Sequence, residues 1–191
     1  MTENDRPVSF DDEPLILVND ADEVLGHAPK RECHEGEGIL HRAFSVLLFD
    51  HGTGQVLLQQ RAADKWLWPG FWSNACCSHP RRGETVAGAA TRRLAEELGV
   101  EADLERVFTF QYHARYLDLG SEREVCAVLL GRLQGPVRAN PTEIAAWRLL
   151  PAAELDAELA AKPGRFTPWF RMEWERLRRD HPEALRALGV A

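Results

Sequence analysis

The sequence predicts an α+β domain in which a mixed sheet packs against helices. Three observations predict it: strand-like runs that pair as hairpins, one strongly amphipathic helix in the middle of the chain, and two more helices gathered late. The chain has 191 residues, 45% hydrophobic and 28% charged, the size and composition of one globular domain.

Met1–Pro14 is polar and acidic with two prolines and reads as a mobile arm ahead of a domain over residues 15–191. Leu15–Val18, the turn Asn19–Asp22 and Val24-Leu25 read as a hairpin. The Gly- and Glu-rich stretch Cys33–Leu40 reads as a loop. Ala43–Phe49 is a strand, His51–Gly54 a turn, and Gln55–Gln60 the partner strand. A loop dense in Trp, Pro and Gly covers Trp66–Ser73. Glu84–Leu98 is the clearest helix: Val86, Ala90, Leu94 and Leu98 recur four apart on one face, and Gly99 stops it. Arg106–Tyr116 and Glu124–Leu133 are strands joined through Asp118–Ser121, and Glu143–Leu149 is a shorter one. Pro151–Leu159 and Trp169–Arg179 are helices, the second following Pro168. The charged tail beyond Trp174 reads as a solvated cap.

A net charge of −7 argues against nucleic-acid binding through a basic surface. A phosphorylated substrate then needs local help from metal ions or a few aimed Lys and Arg side chains. The four cysteines, Cys33, Cys76, Cys77 and Cys126, show no C-x-x-C spacing. No signal peptide and no membrane-spanning apolar run is evident, so a reducing cytosol is expected.

Four features carry chemistry. In Glu84-x7-Arg92-Arg93-Leu94-x-Glu96-Glu97-x-Gly99, Arg92 and Glu96 are neighbours on a helix, as are Arg93 and Glu97. Surface ion pairing explains that spacing as well as function does. Cys77 stands two residues before His79 in a Trp- and Pro-rich loop, where a cysteine is either packed or reactive. His34 and His41 are seven apart, too far for one helical turn. Glu122 and Glu124 share one face of a strand, which requires either solvent or a cation.

The Glu84–Gly99 pattern resembles the Nudix box, the metal- and diphosphate-binding loop and helix of a large family. It departs at Ser78, where the box has Gly, and at Arg93, where it has Glu. The missing Glu belongs to the acid cluster that hydrolysing members use, so the resemblance implies the fold and argues against ordinary hydrolysis. Trp68-Pro69-Gly70-Phe71-Trp72-Ser73-Asn74, followed by Cys77-Ser78-His79-Pro80, closely resembles the active-site loop of type I isopentenyl-diphosphate isomerases. The resemblance runs from about Leu15 to Trp169.

It implies a single-domain, Nudix-like α/β/α sandwich with a mixed sheet. It implies transposition of a double bond between isopentenyl and dimethylallyl diphosphate through a tertiary carbocation. Cys77 and Glu124 become the acid–base pair on opposite faces of the substrate, and the sequence leaves open which one gives the proton. Cys76 packs inward. Tyr112 lies near Glu124, and Trp169 faces the cation. Lys30, Arg61, Lys65 and Arg93 become phosphate-binding residues. One divalent metal is held by His34, His41, His79, Glu122 and Glu124, and a second Mg²⁺ bridges the diphosphate with Glu97 as its nearest protein acid. Mg²⁺ or Mn²⁺ suits this ligand set, Zn²⁺ is compatible, and no organic cofactor is implied. A monomer is expected. The rivals are a Nudix diphosphate hydrolase and a noncatalytic metal or isoprenoid-diphosphate binding module. The first would release phosphate without isomer, and the second would have no use for Cys77, Glu124, Tyr112 and Trp169.

Overall fold

The stretch at residues 43–49, apolar except for Ser45, becomes the middle of β3 (His41–Asp50), because a strand covered on both faces needs no polar alternation. The computed structural model describes residues 6–190. Around β3 are β1 (Pro14–Val18), β2 (Val24–Pro29), α1 (Lys30–His34), β4 (Val56–Arg61), β5 (Trp72–Ser73), β6 (Cys76–Ser78) and α2 (Val86–Leu98). The second half supplies β7 (Leu104–Tyr116), β8 (Gly120–Leu133), β9 (Ile144–Leu150), α3 (Ala152–Ala161), α4 (Pro168–Asp180) and α5 (Pro182–Ala187).

One edge of β3 pairs in parallel with β8 along its whole length, from His41↔Glu124 to Asp50↔Leu133. The other edge is shared by β1, β6 and β4, all antiparallel. β7 adds to the far side of β8, and β9 to β4. The sheet is therefore mixed, as expected.

Alternation along β3 feeds two cores. Phe44, Val46 and Leu48 face α2, where Ala90, Leu94 and Leu98 meet them. Ala43, Leu47 and Phe49 face the other way, against Trp169, Phe170, Trp174 and Leu177 of α4. This is the expected sandwich of helix, sheet and helix. Each fully buried Leu or Phe contributes roughly 1.5–3 kcal/mol by leaving water. Ser45 breaks the apolar run on the α4 side and is completely buried.

The helices follow their capping signals. α2 begins at Val86 rather than Glu84, because Thr85 caps it by accepting from Gly88 N at 3.1 Å. Gly99 closes it at φ 63°. The loop expected over Cys33–Leu40 starts instead as the end of α1, which closes at His34; the loop expected over Trp66–Ser73 ends in the short strand β5, and the cysteine pair after it forms β6. Strands of two and three residues have no periodicity of their own; pairing with β4 and β3 makes them. The terminal tail is more than a solvated cap, since Leu177, Leu185 and Val190 are buried in the α4-side core.

Residues 1–5 of the expected arm lie outside the described residues. Residues 6–13 are tied down. Lys30 N donates to Glu13 O at 2.8 Å, Arg31 N to Asp11 O at 2.9 Å, and Asn140 Nδ2 to Arg6 O at 2.9 Å. Among the described residues, no helix is long and apolar enough to cross a membrane.

Candidate active site

A cavity of about 510 Å³ opens over the α4-side face of β3 and β8. A larger groove of about 920 Å³ lies between β7, α3 and α4, but none of the predicted site residues lines it. The smaller cavity is lined by all the predicted site residues except His41.

Strand register assembles its floor. His41 on β3, Glu124 on β8 and Tyr112 on β7 lie side by side across three strands. Glu122 is two residues before Glu124 on the same face. His34 arrives from the end of α1, and His79 follows β6. These elements bring one ligand atom from each of His34, His41, His79, Glu122 and Glu124 within 4.8 Å of one another.

The set fits a divalent cation on grounds internal to the structure. Nδ1 of His34 donates to Lys30 O at 2.7 Å, and Nδ1 of His41 donates to Ile39 O at 2.7 Å. Both rings thereby turn an Nε2 lone pair inward. Nε2 of His41 and Nε2 of His79 are 3.1 Å apart. Glu122 Oε2 lies 2.8 Å from His34 Nε2, yet it has no hydrogen-bond partner. Acceptors facing a common point at such distances repel one another unless a cation stands between them.

Electrostatics favours the same state at His79 and Glu124; at His34 burial lowers the pKa but Glu122 and then the Lys30 carbonyl outweigh it and raise it, so there a bound cation would have to displace a proton. Burial first, then His41 and His34, push the His79 imidazole well below its ordinary pKa, so it is a neutral ligand. Burial works to raise the Glu124 pKa, but without a metal a His41 ring that carries its second proton, and then the Tyr112 hydroxyl, outweigh it and hold the carboxylate below its usual range; a bound cation would take the place of that ring's charge. Tyr112 Oη donates to Glu124 Oε2 at 2.7 Å. Burial and then the charge on Glu124 push that phenol up, so it remains a donor.

Cys76 and Cys77 are adjacent on β6 and project to opposite faces of the sheet. Cys76 points to the α2 side and donates to Glu97 Oε1 at 3.3 Å. It packs inward as expected. Cys77 opens into the cavity. Its thiol donates to Asn74 Oδ1 at 3.0 Å and accepts from Trp169 Nε1 at 3.0 Å. Burial, then the nearby Glu173 carboxyl, push the Cys77 thiol up, so it is a neutral acid. Trp169 enters at the first turn of α4, and its ring meets Trp68 edge-on at 5.2 Å.

The four predicted phosphate-binding cations line the same cavity. Each has partners of its own. Lys30 bonds Ser9, and Lys65 bonds Glu143. Arg93 pairs with Glu97 at 2.6 Å, contacts Glu143 at 3.5 Å and bonds the Val8 carbonyl. Arg61 donates to Trp68 O at 3.1 Å and Leu67 O at 2.9 Å, so it also shapes the Trp-rich loop. Glu97 lines the cavity but stands outside the five-ligand group, bonded to Arg93 and Cys76. Arg92 bridges Glu84 at 2.8 Å and Glu96 at 3.1 Å, so the ion-pair reading of that helix holds.

Four participants were missed in the sequence. Glu143 opposes Lys65 and Arg93, and only folding brings them together. Asn74 stands inside the motif, where its residue type alone gives no sign that it bonds both Ser45 and Cys77. Ser45 was detectable as a hydroxyl in an apolar strand. Glu173 was detectable as an acid on the buried stripe of α4, four residues after Trp169.

Residues 39–170 match the NUDIX domain family. The chain is 49% identical over 157 residues to a protein of Nocardia farcinica named isopentenyl-diphosphate Delta-isomerase, covering 82% of this chain and 89% of that one. It is 42% identical over 165 residues to a protein of the same name from Burkholderia multivorans, covering 86% and 93%. Among solved structures, one from Deinococcus radiodurans superposes with a TM-score of 0.71 at 24% identity, over 87% of this chain and 100% of that one. A MutT protein of Methanosarcina mazei superposes at 0.60 with 17% identity, over 74% and 94%. These two likenesses speak to the fold alone.

Proposed function

We propose, from the premise that this chain belongs to the NUDIX family and within it to the isopentenyl-diphosphate Delta-isomerases, that Cys77 and Glu124 are its acid–base pair. The chain is an isomerase that interconverts isopentenyl diphosphate and dimethylallyl diphosphate. One observation carries the assignment of roles. Cys77 and Glu124 line one cavity, each already bonded to a second functional group, Cys77 to Trp169 at 3.0 Å and Glu124 to Tyr112 at 2.7 Å.

The reaction adds a proton to the terminal alkene carbon and removes one from the neighbouring methylene, with a tertiary carbocation between. A neutral thiol and a carboxylate are the complementary pair this requires. In one direction the Cys77 thiol gives and the Glu124 carboxylate takes; the other direction starts from the Cys77 thiolate and the protonated Glu124, and between turnovers a proton exchanged with solvent resets the pair. Tyr112 holds the Glu124 oxygen in place through its donated hydrogen bond. Trp169 is almost completely buried, excludes water from the cation, and offers it an indole face whose quadrupole attracts positive charge. Lys30, Arg61, Lys65 and Arg93 bind the diphosphate, and Glu97 serves a second Mg²⁺ on it.

His34, His41, His79, Glu122 and Glu124 hold the metal, which is Mg²⁺ or Mn²⁺, with Zn²⁺ also compatible. When bound, such a cation supplies the positive charge that offsets the two carboxylates and tunes the proton affinity of Glu124. All these groups come from one chain, so we take the monomer as the working unit. The four cysteines are free thiols. That fits a reducing compartment, and we place the enzyme in the cytosol.

Proton NMR in D₂O with isopentenyl diphosphate and Mg²⁺ tests the reading. Deuterated dimethylallyl diphosphate should form, stop forming after chelation, and return when metal is restored. Free phosphate without isomer would instead identify a hydrolase.

A further inference from the structure

Behind Cys77, on the side away from the substrate cavity, lies a polar cluster that the reaction as described does not use. Glu173 is on α4, one turn beyond Trp169, and is completely buried. Its Oε2 is 2.8 Å from Ser45 Oγ, and its Oε1 has no partner. Ser45 lies directly across from Cys77 in the β3–β6 pair, with Oγ 3.4 Å from the sulfur. Asn74 Nδ2 donates to the same Ser45 hydroxyl at 2.7 Å.

A hydroxyl has one hydrogen to give and two lone pairs to fill. Asn74 fills one lone pair. The other groups facing Glu173 are the Cys77 thiol on β6 and Cys126 and Glu124 on β8, and none is a cation. A buried carboxylate with no counter-cation and one unpaired oxygen is costly, and a protonated carboxyl is not. When protonated, Glu173 donates to Ser45 and fills its second lone pair. The single Ser45 hydrogen is then free to point at the Cys77 sulfur. When ionised, Glu173 takes that hydrogen for itself.

We propose that Glu173 is a positioning residue for the isomerisation: as the neutral acid it turns the Ser45 hydroxyl onto the Cys77 sulfur and, with the Trp169 indole, completes a two-donor cradle for it. The inference rests on the reading of Cys77 as one of the acid–base pair. Whichever way the proton moves, Cys77 lacks its hydrogen at one stage of the cycle, and two donors on the sulfur stabilise that stage. Burial, opposed by the Ser45 hydrogen bond and reinforced by the charge on Glu124, pushes the Glu173 carboxyl up to about 8. The cradle is therefore set below that pH and undone above it.

The test is the pH profile of kcat and KM for the metal-loaded full chain and for E173Q, E173L, S45A and C77A. Wild-type kcat should fall as pH rises through about 8. In E173Q the amide donates to Ser45 permanently, so kcat should be largely rescued and that decline should disappear. E173L and S45A should each lose roughly 10- to 100-fold in kcat at pH 7, the worth of one hydrogen bond to a charged group, with KM little changed. The double variant should be no worse than either single one. An apolar side chain in place of a lone buried carboxyl should not weaken the fold, and thermal melting checks this. Full kcat in E173L, or an unchanged alkaline decline in E173Q, overturns the inference. If C77A itself turns over, the acid–base reading falls and this inference falls with it. A dead C77A beside an unimpaired E173L sinks the inference alone.

Discussion

At the scale of single residues, each atom proposed to react has a partner that bears on its direction and its protonation, Trp169 and Asn74 for Cys77 and Tyr112 for Glu124. Trp169 has two separable duties: its Nε1–H bonds the Cys77 sulfur and its ring face borders the cavity. Trp169→Phe keeps an aromatic face and deletes the donor, whereas Trp169→Leu deletes both. Cation stabilisation acts in the transition state, so Trp169→Leu should lower kcat far more than it raises KM, with Trp169→Phe in between. Steady-state kinetics on the two variants decides it, and an effect confined to KM would reduce Trp169 to shape packing. Cys77→Ala should abolish isomerisation while metal analysis shows the cation retained, since the sulfur is outside the five-ligand set. Cys77 and His79 are legible in the sequence because they stand two residues apart in one motif. Glu143 is not, because its partner lies 78 positions away; Glu173 shows only as an acid on an apolar stripe, and its partner, 128 positions away, comes from folding alone.

At the scale of elements, the metal ligands depend on how α1 is held against β8. His34 ends α1, and Gly120 begins β8 directly beneath it. A Cβ built on Gly120 would overlap the His34 carbonyl oxygen and crowd Trp66 at 3.2 Å. An isolated bridge between Glu35 and Gly120 and the bond from Ser121 Oγ to Gly36 O at 2.6 Å fasten the same junction. Gly120→Ala must therefore push α1 outward. It should weaken metal binding at least ten-fold while costing roughly 1–3 kcal/mol of stability. Calorimetric titration with Mn²⁺ together with urea unfolding separates the two effects, and unchanged affinity would show that His34 does not need this seat. Sequence periodicity found α2 and the β3–β4 hairpin because each buries a regular stripe. It could not find α1, β5 or β6, which are too short for any period and exist because neighbouring strands pair with them.

At the scale of the whole molecule, the buried acid of α4 ties stability to pH. Folding raises the Glu173 carboxyl from its ordinary 4.5 to about 8. A group whose folded pKa is raised stabilises the fold fully below its unfolded pKa and loses that contribution as pH climbs through the folded value. Between these limits the folded chain holds one proton more than the unfolded chain, so stability falls by about 1.4 kcal/mol per pH unit from this group alone. Glu124, depressed rather than raised, has the opposite sign and acts at more acid pH. His79, a histidine whose pKa is depressed in the fold, also favours the fold as pH rises. The total curve is thus a sum of opposing slopes, and the wild-type profile by itself assigns none of them. Subtraction does. Glu173→Gln leaves every other group in place and cannot ionise, so its stability relative to wild type should grow steadily from pH 5 to pH 8. Urea unfolding of both proteins at each pH, with metal held constant, gives that difference directly. A gap that stays constant with pH would mean that Glu173 titrates outside this window, and the alkaline fall in turnover would then need another titrating group.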